Sequence, residues 1–167
     1  MLAIVTMGPV RSKPEKAELA DQIEQLFRGE AARLWRAVLV YVGGRREVAD
    51  DVVAEAFARA IVYQGEIRRP IGWLYQVAFR LAAAEMRRQG WADDEPAPVV
   101  GPPEVLGVFD ALRRLSPNQR VAVVLHHEVD LPVREIADRM GISAATVRVH
   151  LHRGRKRLRE LLGDEEV

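Results

Sequence analysis

Six arginine and lysine side chains and no acid lie between Ser143 and Arg159, and five arginines against one acid, Glu85, lie between Arg68 and Arg88. Side chains of this kind neutralise phosphates. Between the two clusters, Trp91 to Asp110 carries five acids and no base. A formal net charge of +1 therefore hides two candidate polyanion-binding segments separated by one that avoids or imitates a polyanion. The alternative is a pair of solvated helix faces, so the decision rests on the structure around the basic residues.

Other chemistry finds little support. With no cysteine, the chain has no disulfide, thiolate zinc site or cysteine nucleophile. His126 and His127 are adjacent, and His150 and His152 are two apart, so neither pair shares a helix face as metal-ligating histidines at i and i+4 would. No Gly-rich phosphate loop, GxSxG elbow or carboxylate pair in an obvious pocket is present. Adjacent Asp50 and Asp51 diverge by about 100° on a helix and read as its polar face. The expectation is a binding protein, neither an enzyme nor the holder of a metal or cofactor.

The basic residues from Ser143 onward belong to the segment VREIADRMGISAATVRVHLHRG. It reads as a helix, a turn opening at Gly141, and a second helix capped by Ser143, the layout of a helix-turn-helix. Ile136, Ala137, Ile142, Val147 and Leu151 are expected to form the shared core, with the small Ala137 allowing close approach. With Val147, Leu151, Gly154 and Leu158 inward, Arg148, His152 and Arg155 share an outward stripe at i, i+4 and i+7. Arginine there can donate two bonds to guanine, whereas Arg153, Arg157 and Arg159 are placed for phosphate.

The remaining elements must position these faces. At 167 residues, 49% hydrophobic and 29% charged, the chain holds one ordinary domain or two small ones. No apolar run approaches the roughly 18 residues of a membrane span, and the opening MLAIVTMGPV lacks a basic signal region. The expected location is the cytoplasm. Apolar residues recur at three and four, never in strict alternation, which predicts an all-α fold. Residues 1–14 read as a disordered lead-in, 15–89 and 104–163 as two small helical domains, 90–103 as an acidic proline-rich linker, and 164–167 as a tail.

In the first half, Ile23 to Tyr41 predicts a helix or broken pair ending at Gly43 and Gly44. A second helix of about 18 residues carries Val48, Val52, Ala56 and Ala60. A third opens at Pro70 and carries Trp73, Leu74, Val77, Ala78 and Leu81 on one face. In the second half, Val105 to Leu115 is a short helix. Ser116, Pro117 and Gln119 then make a strong helix start with Val121, Val124 and Leu125 facing inward.

Residues from LRRLSPNQRVAVVL to the end of the helix-turn-helix resemble region four of bacterial sigma factors, and VADDVVAEAFARAIVYQGEIRRPIGWLYQVAFRLAAAEMRR resembles their region two. Order and linker resemble the extracytoplasmic-function (ECF, group 4) sigma factors of the sigma-70 family, over about residues 15–162. The resemblance implies binding to core RNA polymerase and promoter-specific transcription initiation. It further implies a minus-35 duplex set of Arg134, Ser143, Ala145, Thr146, Arg148, His152, Arg153, Arg155 and Arg157. For a melted minus-ten strand it implies Tyr63, Arg68, Arg69, Trp73, Gln76, Phe79, Arg80 and Arg87, with Tyr75 and Arg88 nearby and the loop Tyr63–Arg69 capturing a flipped base. Polymerase contacts fall on Asp50, Asp51, Val53, Glu55 and Phe57. The competing reading is that Phe57 and Val53 only pack the domain's own core, with Phe57 equally suited to either role, and Trp73 suits the core better than a stacking platform.

An anti-sigma factor is an expected partner by the same resemblance. The acidic linker is open to two roles, a nucleic-acid mimic in the polymerase channel or a soluble spacer. Ala54 and Arg80 stand where the family commonly has Gln and Asn, and the frequent mid-helix proline of the first helix is missing. An autonomous helix-turn-helix regulator and a sigma-like adaptor or decoy that binds polymerase without initiating remain the rival readings.

Overall fold

The computed structural model describes residues 13–63, 67–90 and 102–163. Most of the acidic linker and of the lead-in, the middle of the loop after the second helix and the tail lie outside them. Among the described residues there are seven helices and no strand, in two helical domains. The first comprises α1 (Lys13–Tyr41), α2 (Arg46–Val62) and α3 (Pro70–Arg88). The second comprises α4 (Pro103–Arg113), α5 (Pro117–His127), α6 (Val133–Met140) and α7 (Ala144–Leu162).

The first helix is one continuous rod of 29 residues. It stops at Gly43 and Gly44, whose φ angles of 67° and 83° lie in the left-handed region that glycine enters without a Cβ penalty. α2 packs on α1 through Val52, Val53, Ala56 and Phe57, all buried. α3 closes the three-helix core with Leu74, Tyr75, Ala78 and Ala82, while Pro70 occupies its first turn, where no amide hydrogen is missed.

In the second domain the start of α5 is held by a complete capping box. Ser116 Oγ accepts from the Gln119 amide at 3.4 Å, and Gln119 Oε1 accepts from the Ser116 amide at 3.3 Å. The expected inner face of Val121, Val124 and Leu125 is buried, but so are Arg120, Ala122 and Val123. The reason is position: α5 is bounded by α7 and α6 in its own domain and by α1 of the other. An eleven-residue helix surrounded in this way has no wide solvent face.

Arg120 is the consequence. Its Nε donates to Leu112 O at 2.8 Å, and its Nη2 donates to Arg113 O at 2.7 Å and Leu115 O at 3.3 Å. These carbonyls belong to the end of α4 and the turn after it, where helical amide partners run out. The same guanidinium lies 4.9 Å from the Tyr41 ring and donates from Nη1 to Met86 Sδ at 3.2 Å, so it spans both domains. Burial lowers its pKa from the ordinary guanidinium value, yet a guanidinium stays charged in a protein.

Arg120→Met keeps the stem and removes the donors, taking their partner from the Arg113 and Leu115 carbonyls, while Leu112 O keeps the Leu115 amide. It is expected to lower stability by about 3 kcal/mol in urea unfolding followed by circular dichroism. A loss below about 1 kcal/mol would show that these carbonyls find other partners.

Candidate nucleic-acid interface

The basic cluster of the second domain lies on α7, and α6 and α7 are joined by a turn with a fixed geometry. Gly141 ends α6 with φ 67° and ψ 33°, a left-handed cap. Ser143 then opens α7: its Oγ accepts from the Thr146 amide at 3.1 Å and lies 2.8 Å from Thr146 Oγ1. Both hydroxyls of the proposed duplex set are thus engaged at the cap. Arg134 is exposed at the start of α6, and Ala145 is exposed beside the cap.

Val147, Leu151, Gly154 and Leu158 are the buried face of α7. Gly154 permits the approach of α5, since a Cβ there would lie 2.8 Å from Val123 Cγ2. Arg148, His152, Arg153 and Arg157 are exposed on the other side, and Arg157 pairs with Glu160 at 3.0 Å. Arg155 is half-buried and donates from Nε to His127 Nε2 at 3.4 Å.

That last contact was not legible in sequence. A groove of about 560 Å³ is lined by His126, His127, Arg148, His152, Arg155 and Arg159. The two histidines of α5 and the basic stripe of α7 therefore border one concavity, although 28 residues separate His127 from Arg155. No local period links residues so far apart. His126 is oriented by Leu131 O at 3.2 Å from its Nδ1.

On the first domain the candidate residues divide. Arg80 and Arg87 are exposed on α3. Tyr63 and Arg68 are exposed at the two ends of the α2–α3 loop, and Tyr63 leans on half-buried Trp73 with ring centroids 5.4 Å apart. Arg69 pairs with Asp138 of α6 at 2.8 Å, and Gln76 lies against Gly141. Phe79 is buried, edge-on to Tyr41 at 5.1 Å and tilted to Tyr75 at 6.3 Å. In this conformation its ring offers no face to a base, because three aromatic residues share one pocket of the core.

The acidic face of α2 presents Asp50, Asp51 and Glu55 to solvent, with Asp50 Oδ1 accepting from Trp35 Nε1 at 2.6 Å and Glu55 pairing with Arg59 at 2.7 Å. Val53 and Phe57 are core residues. Phe57 meets the exposed Phe27 edge-on at 4.9 Å, and Ile61 and Val62 at the end of α2 are exposed. Phe27, Ile61 and Val62 form no part of the sequence-derived polymerase set. Their exposure was hidden because each falls where helical periodicity also allows a core position.

The family model described as "Sigma-70, region 4" matches residues 108–158, which run from α4 to the end of the buried face of α7. Over 162 residues the chain is 31% identical to the RNA polymerase sigma factor CarQ of Myxococcus xanthus, covering 88% of this chain and 92% of that one. The chain belongs to the ECF RNA polymerase sigma factors. The ECF sigma factor SigE of Mycolicibacterium smegmatis is 32% identical over 158 residues, spanning 83% of this chain and 61% of its own. The fold of this sigma factor is also that of CnrH, solved in complex with the cytosolic domain of CnrY, with a TM-score of 0.62 at 23% identity over 88% of this chain and 94% of that one. No helix among the described residues is long and apolar enough to cross a membrane.

Burial, Arg155 and His126 together lower the His127 pKa below its ordinary 6.5, with Asp130 opposing them. The folded sigma factor thus binds this proton more weakly than the unfolded chain, so His127 costs stability as pH falls through about 6.5. His127→Gln is expected to reduce the loss of melting temperature between about pH 7.5 and pH 5.5. An unchanged acid-side loss would contradict the assignment of that loss to His127.

Proposed function

We propose that this sigma factor binds core RNA polymerase and directs initiation by reading two promoter elements, one with each domain. α7 enters the major groove of a minus-35 duplex, with Arg148 and His152 on base edges and Arg134, Arg153, Arg155 and Arg157 on phosphates. Ser143, Ala145 and Thr146, at the start of α7, set how closely that helix approaches the duplex.

The observation that carries this reading is the division of α7 into a buried apolar face and an exposed cationic one, held at a fixed angle by the Gly141 and Ser143 caps. Duplex reading needs both parts: a rigid helix, and donors projecting beyond it.

The first domain engages the melted minus-ten strand. Arg68, Arg69, Arg80 and Arg87 neutralise its backbone, and Tyr63, Trp73 and Gln76 form the set from which base contacts come, with the buried Phe79 supporting α3 from the core. The acids Asp50, Asp51 and Glu55 suit a basic partner helix on polymerase, and Val53 and Phe57 stiffen the helix that presents them. The acidic linker joins the two DNA-binding domains, 15–89 and 104–163. The protein acts in the cytoplasm as a specificity subunit without catalysis of its own. An anti-sigma factor is its regulatory partner, a reading supported by CnrH having been solved with CnrY.

Substitution on α7 tests the division of labour. Arg148→Ala is expected to relax base preference at one minus-35 position, at about 1–3 kcal/mol of lost discrimination. Arg157→Ala should instead weaken binding uniformly across sequences and reduce the slope of affinity against salt by about one. Equal loss on all sequences for Arg148→Ala would remove it from the base-reading set.

A further inference from the structure

On the acidic face of α2, Asp50 is held by a neutral partner. Trp35, half-buried near the end of α1, donates its indole N–H to Asp50 Oδ1 at 2.6 Å. The turn at Gly43 and Gly44 folds α2 back along α1, which brings together two residues 15 positions apart. Glu55, one of the other acids on that face, is held instead by Arg59 at 2.7 Å. Arg59 offsets the charge it orients, whereas an indole fixes a carboxylate and leaves its charge intact. Asp50 is exposed, and its Oδ2 enters no hydrogen bond among the described residues, so a donor from outside the chain can reach it.

The ring of the same indole faces a cation. Arg46 Cζ lies 5.6 Å from the Trp35 ring centroid, within the range of a cation–π contact. Arg46 precedes Asp50 by four residues on α2, the spacing at which an arginine and an acid pair across one helical turn. Among the described residues no ion pair joins them. Stacking on the indole therefore occupies a cation that is otherwise placed to neutralise Asp50.

The hydrogen bond is not needed to join the two helices. Val52, Val53, Ala56 and Phe57 already bury that side of α2 in the core. What the bond does is select one orientation of an exposed side chain. A free aspartate samples several rotamers, and fixing one of them on binding opposes association. Here the selection is made before any partner arrives.

We propose that Trp35 is a positioning residue for the polymerase contact: its indole N–H holds the Asp50 carboxylate, still charged and facing outward, in the orientation that a basic helix of core polymerase receives. The proposal rests on the assignment of the acidic face of α2 to polymerase. Trp35 acts through Asp50 and not through a contact of its own.

Equilibrium binding to purified bacterial core polymerase, measured at one salt concentration, tests this on the full chain. Trp35→Phe keeps an aromatic ring beside Arg46 and removes the N–H. It is expected to weaken core binding about two- to tenfold, the effect of releasing one ordered side chain, while the cooperative thermal melt is preserved. Asp50→Ala should weaken binding at least as much, and adding Trp35→Phe to Asp50→Ala should cost nothing further. A merely structural tryptophan would give the same loss whichever residue stood at position 50. If Trp35→Phe loses its cooperative melt, the benzothiophene analogue of tryptophan at position 35, which keeps the shape of the indole without its N–H, decides the matter by the same titration.

Unchanged core affinity on removal of the N–H, or an equal loss with and without the Asp50 carboxylate, would overturn the positioning role. Failure of the underlying reading is distinguishable: Asp50→Ala would then bind core polymerase as tightly as the wild type, and the role of Trp35 would fall with it.

Discussion

A buried guanidinium cannot discard its charge, so the chain around it must be arranged to receive its hydrogen bonds. Arg120 imposes that condition on the centre of this protein. Its donors meet the end of α4 and the turn after it, its face meets Tyr41, and its reach extends to Met86 of α3. α5, which carries it, is therefore fixed against helices of both domains, and α7 is set by packing on α5 through the Gly154 approach to Val123. The orientation of the exposed cationic face of α7 follows from those constraints.

Arg139 obeys the same condition with a different outcome. Its partners are a carboxylate on its own helix and a Tyr75–Glu30 pair on the other domain, each able to persist without the other. Arg120 anchors a helix end and its loss strands carbonyls, whereas Arg139 joins two self-sufficient groups.

Much of this was legible in the sequence because it is local. The capping box at Ser116, the Gly141 cap and Ser143 are set by residues within four positions of one another, and the buried face Val147, Leu151, Gly154 and Leu158 follows from helical periodicity. The sequence leaves the first helix open between one rod and a broken pair, and it is one continuous rod. Arginines, however, count as solvent-facing in a periodic pattern, and nothing within their own helices marks Arg120 or Arg139 as buried. The His127–Arg155 contact and the packing of α6 on α3 join residues 28 to 69 positions apart, beyond the reach of any local signal. Phe79 shows the same limit from the other side: its type suits base stacking, and only the assembled core reveals Tyr41 and Tyr75 around it.

The central claim is that this chain confers promoter specificity on RNA polymerase, and run-off transcription tests it most directly. Purified bacterial core polymerase is supplied with fragmented genomic DNA from the source organism, with and without the protein, and the start sites are read. The account predicts defined starts that depend on the protein and share two spaced upstream motifs. Co-purification with core polymerase without any specific start, or tight binding to duplex DNA by the free protein with no effect on initiation, would contradict it.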